Sequence, residues 1–135
     1  VPSIVALLGR FQNTKDPKKL GRLAEDLSAW YFRLKGYRLL ARNWRTRWGE
    51  IDLVVGKGNT LVFVEVKARK NLSKGSPEEA LTPHKKKKLI KLAQAFLATQ
   101  KTEASHFRFD LVAVDFSHTK PQIRHYQGII DDDGP

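Results

Sequence analysis

The stretch that decides the fold is residues 49–69, which reads GEIDLVV, then GKGN, then TLVFVEVKAR. Two apolar segments flank a short turn rich in glycine and asparagine, a pattern typical of a β-hairpin. We centre the turn on Gly58-Asn59. The register then pairs these positions across the two strands: Gly56 with Leu61, Val54 with Phe63, Asp52 with Glu65, and Glu50 with Lys67. The other face collects apolar side chains: Ile51, Leu53, Val55, Val62, Val64 and Val66.

This register opposes two carboxylates, those of Asp52 and Glu65. Directly opposed side chains have Cβ atoms about 4.5–5.5 Å apart, and like charges repel there. A bound Mg²⁺ or Mn²⁺ would offset the repulsion, since such cations prefer oxygen ligands. Lys67 shares the face, and a metal with a nearby ammonium suits phosphodiester hydrolysis, because both offset developing negative charge. The simpler alternative is an exposed strand end with solvated charges, and a bulge would change the register.

Composition points to a polyanionic partner. The chain of 135 residues has 25 Lys+Arg against 14 Asp+Glu, a net charge of +11. Such a balance most often accompanies nucleic-acid binding. An acidic membrane surface is the rival, but no apolar run is long enough to span or anchor in a membrane. There is no cysteine and therefore no disulfide framework or thiolate metal site, so a cytoplasmic location is the default expectation.

The length suits a single domain, 1–135, with a real core. Within it we predict an N-terminal arm or ordered extension (1–15), a core (16–127) and a flexible acidic tail (128–135). Asp16-Pro17 has the pattern of a helix start, and Gly36 that of a helix stop. The predicted order is helix, three strands, helix, two strands. A tight hairpin followed by a long crossover predicts an α/β fold whose mixed sheet is flanked by helices.

Glu25 lies beside the apolar stripe of the first predicted core helix. It is either an ordinary glutamate at the rim of that helix or a residue that the helix points at Asp52 and Glu65.

A mixed basic and aromatic stretch forms the first predicted strand and the turn after it. Its members are Arg38, Arg42, Trp44, Arg45, Arg47 and Trp48. Cations bind phosphate, and aromatic rings can stack on unpaired bases. For the arginines we favour phosphate binding. For the tryptophans we favour packing beneath the strand.

Four consecutive lysines, Lys85, Lys86, Lys87 and Lys88, fill the first turns of a helix that begins at Thr82-Pro83. Cations there oppose the helix dipole, which favours anions at that end. A bound phosphate would satisfy both the lysines and the helix N-terminus, although a lysine run is often simply solvated.

The last predicted strands are residues 107–115 and, at an edge, residues 122–126. Asp110 lies in the first of them. It is a strand-end or capping residue, or else a distant contributor to the acidic site.

With these elements in place, the chain resembles the PD-(D/E)XK nuclease superfamily. It resembles more closely the bacterial YraN-type family of uncharacterised proteins, which is related to Holliday junction resolvases. The resemblance lies in residues 21–25, 36–37, 42–43, 49–52, 63–69, 75–77 and 109–110, with Ala80, Thr82 and Lys85. It implies a restriction-endonuclease-like αβββαβ core. One departure is Ile51, which stands where the superfamily name has proline.

The resemblance also implies roles for particular residues. Asp52 and Glu65 would ligate Mg²⁺, with the Val66 carbonyl as a further ligand and Glu25 completing the site. Lys67 would position or help activate the attacking water and stabilise the transition state. The expected nucleic-acid contacts are Lys85, Lys86, Lys87, Lys88, Arg69, Arg45, Arg47 and Arg42.

Three functions are consistent with these patterns. The first is a metal-dependent endonuclease acting on branched or damaged DNA in repair or recombination. The second is a non-catalytic nucleic-acid-binding protein that keeps the nuclease fold, and the third is a scaffold whose basic face meets an acidic protein. A resolvase of four-way junctions would work as a symmetric homodimer, because its substrate has two-fold symmetry. The sequence identifies no dimer face.

Overall fold

The structure is a computed structural model and describes residues 3–130. Its helices and strands follow in the order α1 (Ile4–Gln12), α2 (Pro17–Leu34), β1 (Arg38–Thr46), β2 (Gly49–Lys57), β3 (Thr60–Arg69), α3 (Pro83–Thr99), β4 (His106–Asp115) and β5 (Gln122–Tyr126). A single 3-10 turn, Glu78–Ala80, precedes α3. The predicted order is confirmed, with one further helix in front.

The five strands form one sheet in the order β1-β2-β3-β4-β5. β3 and β4 run parallel and the other neighbours run antiparallel, so the predicted mixed sheet is confirmed. α3 lies in the long crossover between the parallel strands. One core cluster packs α1 and α2 on one sheet face, and a second packs α3 on the other.

The N-terminal residues form helix α1, where the sequence offered an arm or an ordered extension. The Ser3 hydroxyl caps the helix by accepting a 3.2 Å hydrogen bond from the Ala6 N–H. Leu7 is fully buried, and the Phe11 ring stacks on Phe116 with centroids 5.3 Å apart. The helix spans only nine residues. This is too short for a periodic stripe to stand out in the sequence.

The ends of α2 are where the sequence predicts them. The Asp16 side chain accepts a 3.0 Å hydrogen bond from the Lys18 N–H, and Pro17 opens the helix. The chain leaves the helix through Gly36, whose φ of +89° suits glycine.

The hairpin register is confirmed at Gly56–Leu61 and Val54–Phe63, but the ladder ends at Leu53–Val64. The pairs predicted beyond that point, Asp52 with Glu65 and Glu50 with Lys67, are not part of it. The prediction that Ile51 shares a face with Leu53 and Val55 is wrong, because Ile51 packs in the α3 cluster.

The alternation of β2 breaks at Asp52, which lies across from a residue of β1 with an unusual backbone conformation. β1 and β2 pair at Arg42–Leu53 and again at Trp44–Ile51, which leaves Asn43 across from Asp52. Asn43 has a φ of +50°, a left-handed conformation that asparagine tolerates better than most residues.

The predicted tail boundary at residue 128 differs from the structure. The Gly128 N–H donates to Oδ1 of Asp110 at 3.1 Å, and the Ile129 N–H donates to the Phe109 carbonyl at 2.8 Å. Ile129 and Ile130 pack on the α3 cluster. The core therefore continues through residue 130. The predicted acidic tail at residues 131–133 lies outside the described residues.

Asp110 is the centre of a buried polar network rather than a cap at a strand end. Its side chain is fully buried, with Arg108 Nε at 2.8 Å and His125 Nε2 at 2.7 Å. Tyr31 Oη lies 3.0 Å from His125 Nδ1, and Arg108 donates to Tyr37 Oη at 2.9 Å. The network joins β4 and β5 to α2 and to the residue before β1.

Among residues 3–130, no helix has the length and apolar character required to span a membrane.

Candidate functional site

Asp52 faces a short gap where β2 and β3 separate. Its Oδ2 accepts a 2.7 Å hydrogen bond from the backbone N–H of Val66. Burial and, after it, the nearby negative charge of Glu65 raise the pKa of Asp52 to about 8. A counter-charge at this point would therefore stabilise the ionised pair.

Glu65 and Lys67 form an ion pair beside Asp52, with Nζ and Oε1 2.9 Å apart. Burial disfavours the Lys67 ammonium, but the Glu65 carboxylate outweighs it and raises the pKa of Lys67. The side chain of Lys85 lies next to Lys67. The hydrogen bond with Lys67 and the positive charge of Lys67 lower the pKa of Lys85. Two carboxylates and two ammonium groups thus meet at one point.

Glu25 approaches this group from α2. Burial raises the pKa of Glu25, while the Asn43 side chain and the Arg42 guanidinium hold it down. The Arg42 Nη2 is 3.7 Å from Glu25 Oε1, which is buried and has no hydrogen-bond partner. The negative charge of Glu25 in turn contributes to the raised pKa of Asp52.

Asp52 and Glu65 line an open cleft of about 460 Å³ between the strand ends and α3, whereas Glu25 is not among its lining residues. Its lining includes Asp52, Glu65, Val66, Lys67, His84, Lys85 and Lys88. The cleft therefore combines an acidic floor with a basic wall.

The donor set fits a hard divalent cation that keeps much of its water. Mg²⁺ is commonly held by one or two carboxylates together with substrate phosphates. Asp52 and Glu65 supply two carboxylates, and the unpartnered Oε1 of Glu25 is a third oxygen nearby. Over residues 3–130, no three His, Cys, Asp or Glu side chains are already grouped as a metal site. The fit is therefore to a two-carboxylate site that Glu25 could join by moving its side chain.

The residues of the cleft lie within a stretch of the chain that matches a protein family. A family model described as "Uncharacterised protein family UPF0102" matches residues 24–114. The chain belongs to this family. The matched range contains Asp52, Glu65, Lys67 and Lys85, and the predicted resemblance to the YraN family is confirmed.

Several UPF0102 proteins cover most of this chain. The protein of Chlorobium limicola is 46% identical over 99 residues, which cover 73% of this chain and 77% of its own. That of Herpetosiphon aurantiacus is 41% identical over 118 residues, or 84% and 95% of the two chains. That of Rhodococcus opacus is 44% identical over 107 residues, or 78% and 91%.

The predicted phosphate-binding arginines of this UPF0102 chain are mostly engaged within the protein. Arg42 pairs with Asp26 at 2.5 Å, and Arg45 pairs with Glu50 at 2.9 Å. Arg69 is half-buried, and its Nη1 donates to the Ala68 carbonyl at 3.0 Å. Arg47 is exposed, with its guanidinium 4.5 Å from the centroid of the Trp48 ring.

The four consecutive lysines of α3 lie on different sides of the helix. Lys85 and Lys88 face the acidic cleft, whereas Lys87 and Lys88 line a second groove beside it. Lys86 is half-buried and lines neither. Lys91, one turn further along, lines the second groove, and the sequence reasoning missed it. A helical spacing of three residues from Lys88 was the signal that could have found it.

The two tryptophans of the basic and aromatic stretch behave differently. Trp44 packs against Phe96 with ring centroids 5.3 Å apart, as predicted for a side chain beneath the strand. The same prediction is wrong for Trp48, which is 63% exposed at the turn between β1 and β2. Its place in a turn, rather than in the strand, explains the difference.

Asn43 was also missed as a site residue. Its left-handed backbone lies within β1 across from Asp52, and its side chain contacts Glu25. The signal was available, because an asparagine within an otherwise strand-like segment favours a break in regular geometry.

Proposed function

We propose that this UPF0102 protein is a metal-dependent endonuclease that hydrolyses phosphodiester bonds in DNA, with branched or damaged DNA as its substrate in repair or recombination. The observation that carries the proposal is the convergence of Asp52, Glu65 and Lys67 in one cleft with a basic wall. Cleavage of a polyanion requires both the acidic residues and the basic wall, since phosphate must be attracted to a site that also contains carboxylates.

Asp52 and Glu65 would hold Mg²⁺ or Mn²⁺, with the Val66 carbonyl and Glu25 as further oxygen donors. When bound, the cation polarises a phosphate oxygen and makes a neighbouring water more acidic. The fit rests on the carboxylates of Asp52 and Glu65 in one cleft and on the raised pKa of Asp52, which burial and the charge of Glu65 cause and which a bound cation would lower.

Lys67 acts in this proposal as a fixed cation. Its pair with Glu65 raises its pKa, so Lys67 stays an ammonium and has no lone pair with which to accept a proton. It can orient the attacking water by donating to it and can offset the charge that develops on the phosphate. Lys85 lies beside it and offers a second cation for the same phosphate.

Strand cleavage on single-stranded, duplex, flap and four-way-junction DNA tests the proposal. Each substrate is incubated with Mg²⁺, Mn²⁺ or EDTA, using the wild type and Glu65→Gln. Glu103→Gln is the matched control, because Glu103 is an exposed carboxylate outside the cleft. We expect metal-dependent cleavage by the wild type and the control only. Equal cleavage by Glu65→Gln would contradict the assignment of the site.

A non-catalytic nucleic-acid-binding protein is the second candidate. The observation favouring it is that Asp52 and Glu65 already have partners within the protein, the Val66 N–H and the Lys67 ammonium. This candidate predicts salt-sensitive DNA binding, no cleavage with either metal, and no loss of affinity in Glu65→Gln.

Two finer parts of the proposal concern context. Paired cuts across a four-way junction would require two copies of the protein. Light scattering with and without junction DNA measures the oligomeric state. A chromosomal DNA substrate would place the protein in the cytoplasm.

A further inference from the structure

Trp48 lies in an unusual position for a large aromatic residue. It occupies the two-residue turn between β1 and β2, with 63% of its surface exposed. The Thr46 hydroxyl holds the turn, accepting from the Trp48 N–H and donating to the Gly49 carbonyl, both at 3.1 Å. The indole is therefore presented on an ordered turn.

The Trp48 ring forms one wall of a groove of about 670 Å³ against α3. Leu92 and Ala95 line the groove with apolar surface, and Lys87, Lys88 and Lys91 supply cations. Its lining contains no carboxylate. An aromatic and aliphatic surface edged only by positive charge suits a flat apolar group attached to an anion.

The groove is continuous with the acidic cleft. His84, Lys88 and Leu92 line both. The Lys88 side chain crosses the boundary close to the backbone of Gly49, where an added Cβ would come 2.7 Å from Lys88 Cε. A nucleic-acid strand bound in the cleft would therefore place a neighbouring nucleotide in the groove.

Building on the proposed function, we propose that this groove is a subsite for one unpaired base of the nucleic acid, stacked on Trp48 while the adjoining phosphate contacts Lys88. A base within an intact duplex is stacked on its neighbours and is not free to enter. The favoured substrate class is therefore DNA with an unpaired nucleotide beside the bond to be cut. Single strands, flaps, bulges and open junctions meet this requirement.

The test compares strands with and without bases. Binding is measured in EDTA with the full chain, using labelled oligothymidylate, an abasic strand of the same length and a blunt duplex. Stacking on an aromatic side chain makes the wild type bind oligothymidylate roughly 5- to 140-fold more tightly than the abasic strand. Trp48→Ala removes this preference and Trp48→Phe keeps most of it. Lys91→Ala is the control for charge and weakens binding to both strands alike.

Intrinsic fluorescence gives a second readout. Oligothymidylate quenches the Trp48 emission of the wild type, and Trp48→Phe loses that quenching while still binding. Equal wild-type affinity for the oligothymidylate and the abasic strand would overturn the subsite and leave the proposed nuclease standing. Absence of binding to every DNA at low salt would overturn both. Circular dichroism shows whether each variant is folded.

Discussion

The backbone N–H of Val66 donates a 2.7 Å hydrogen bond to Oδ2 of Asp52, just beyond the last paired residues of β2 and β3. A side chain thus takes the place of a strand partner for this N–H. The carboxylate is held in a fixed position by the same interaction that ends the ladder. Asp52 is therefore both a structural residue and the most perturbed carboxylate of the cleft, and the two roles can be separated by experiment.

The pH dependence of stability isolates the charge of Asp52 in metal-free protein. Its pKa is raised from an ordinary 3.8 to about 8. Between these values the folded state holds a proton that the unfolded state has lost, so this group makes stability fall as pH rises across that window. Asp52→Asn keeps an oxygen for the Val66 N–H but does not titrate. Its melting temperature relative to the wild type should rise from about pH 5 to about pH 9, measured by thermal unfolding in EDTA. A constant difference would contradict the raised pKa.

Asp52→Ala separates cleavage from binding. On the proposed function, loss of this carboxylate should abolish metal-dependent cleavage. At neutral pH DNA affinity should stay the same, because Asp52 with a pKa of about 8 is largely protonated there; above that pH it should increase, because a negative charge facing phosphate is removed. Gel-based cleavage and fluorescence anisotropy measure the two effects. Lost binding by a protein that still folds would show that Asp52 supports the DNA site itself.

The salt dependence of DNA binding distinguishes the lysines of α3. Lys88 lines both the cleft and the groove, whereas Lys86 lines neither. Lys88→Ala should reduce the slope of log affinity against log salt by up to about 0.9 for the phosphate contact that is lost. Lys86→Ala removes the same charge and should leave the slope unchanged. Equal slopes for the two variants would show that Lys88 makes no specific phosphate contact and that the lysines contribute only general positive charge.

Gly49→Ala tests whether the position of Lys88 matters apart from its charge. Gly49 has a φ of +149°, and a new Cβ would displace the Lys88 side chain. Gly58→Ala is the matched control, since Gly58 has a φ of +56° with nothing within 4 Å of the added atom. Both changes should reduce stability, by about 1–3 kcal/mol for a strained backbone. Only Gly49→Ala should weaken DNA binding at equal ionic strength. An equal effect of Gly58→Ala on DNA affinity would argue that the position of the Lys88 side chain does not matter.

Asp110→Asn should be the most destabilising of these changes. Burial raises the pKa of Asp110, but hydrogen bonds from His125, Arg108 and Gly128 outweigh it and lower the pKa below its ordinary value. The carboxylate therefore stabilises the fold above its unfolded pKa, and this contribution is lost as pH falls through the folded pKa. Breaking a buried ion pair costs about 3–5 kcal/mol. Urea denaturation at neutral pH measures the loss, and a change below about 1 kcal/mol would show that the network is not a major source of stability.

The fold and the acidic residues were largely predictable from the sequence, because local signals encode them. The turn at Gly58-Asn59 set the hairpin register, and Asp16-Pro17 and Thr82-Pro83 marked the helix starts. These signals act over a few residues and require no knowledge of the rest of the chain.

The remaining features depend on contacts between distant parts of the chain. The network around Asp110 includes Tyr31 and His125, which are 94 residues apart. The faces of the lysines depend on how α3 packs on the sheet. The break at Asp52 combines a left-handed residue in β1 with a side-chain hydrogen bond to β3, and neither is visible as periodicity in β2 alone.

The crossover between the parallel strands has a consequence for the order of folding. Asp52 and Glu65 lie on neighbouring strands of one hairpin, whereas pairing β3 with β4 joins positions far apart in the chain, such as Thr60 and His106. Closing a loop of that size costs entropy before any contact repays it, so local hairpins form sooner. We expect the acidic floor of the cleft to assemble first, with Lys67 of the same hairpin as its counter-charge, and the crossover then to bring the lysines of α3 against it. Closure of the crossover is therefore the step that completes both the sheet and the site.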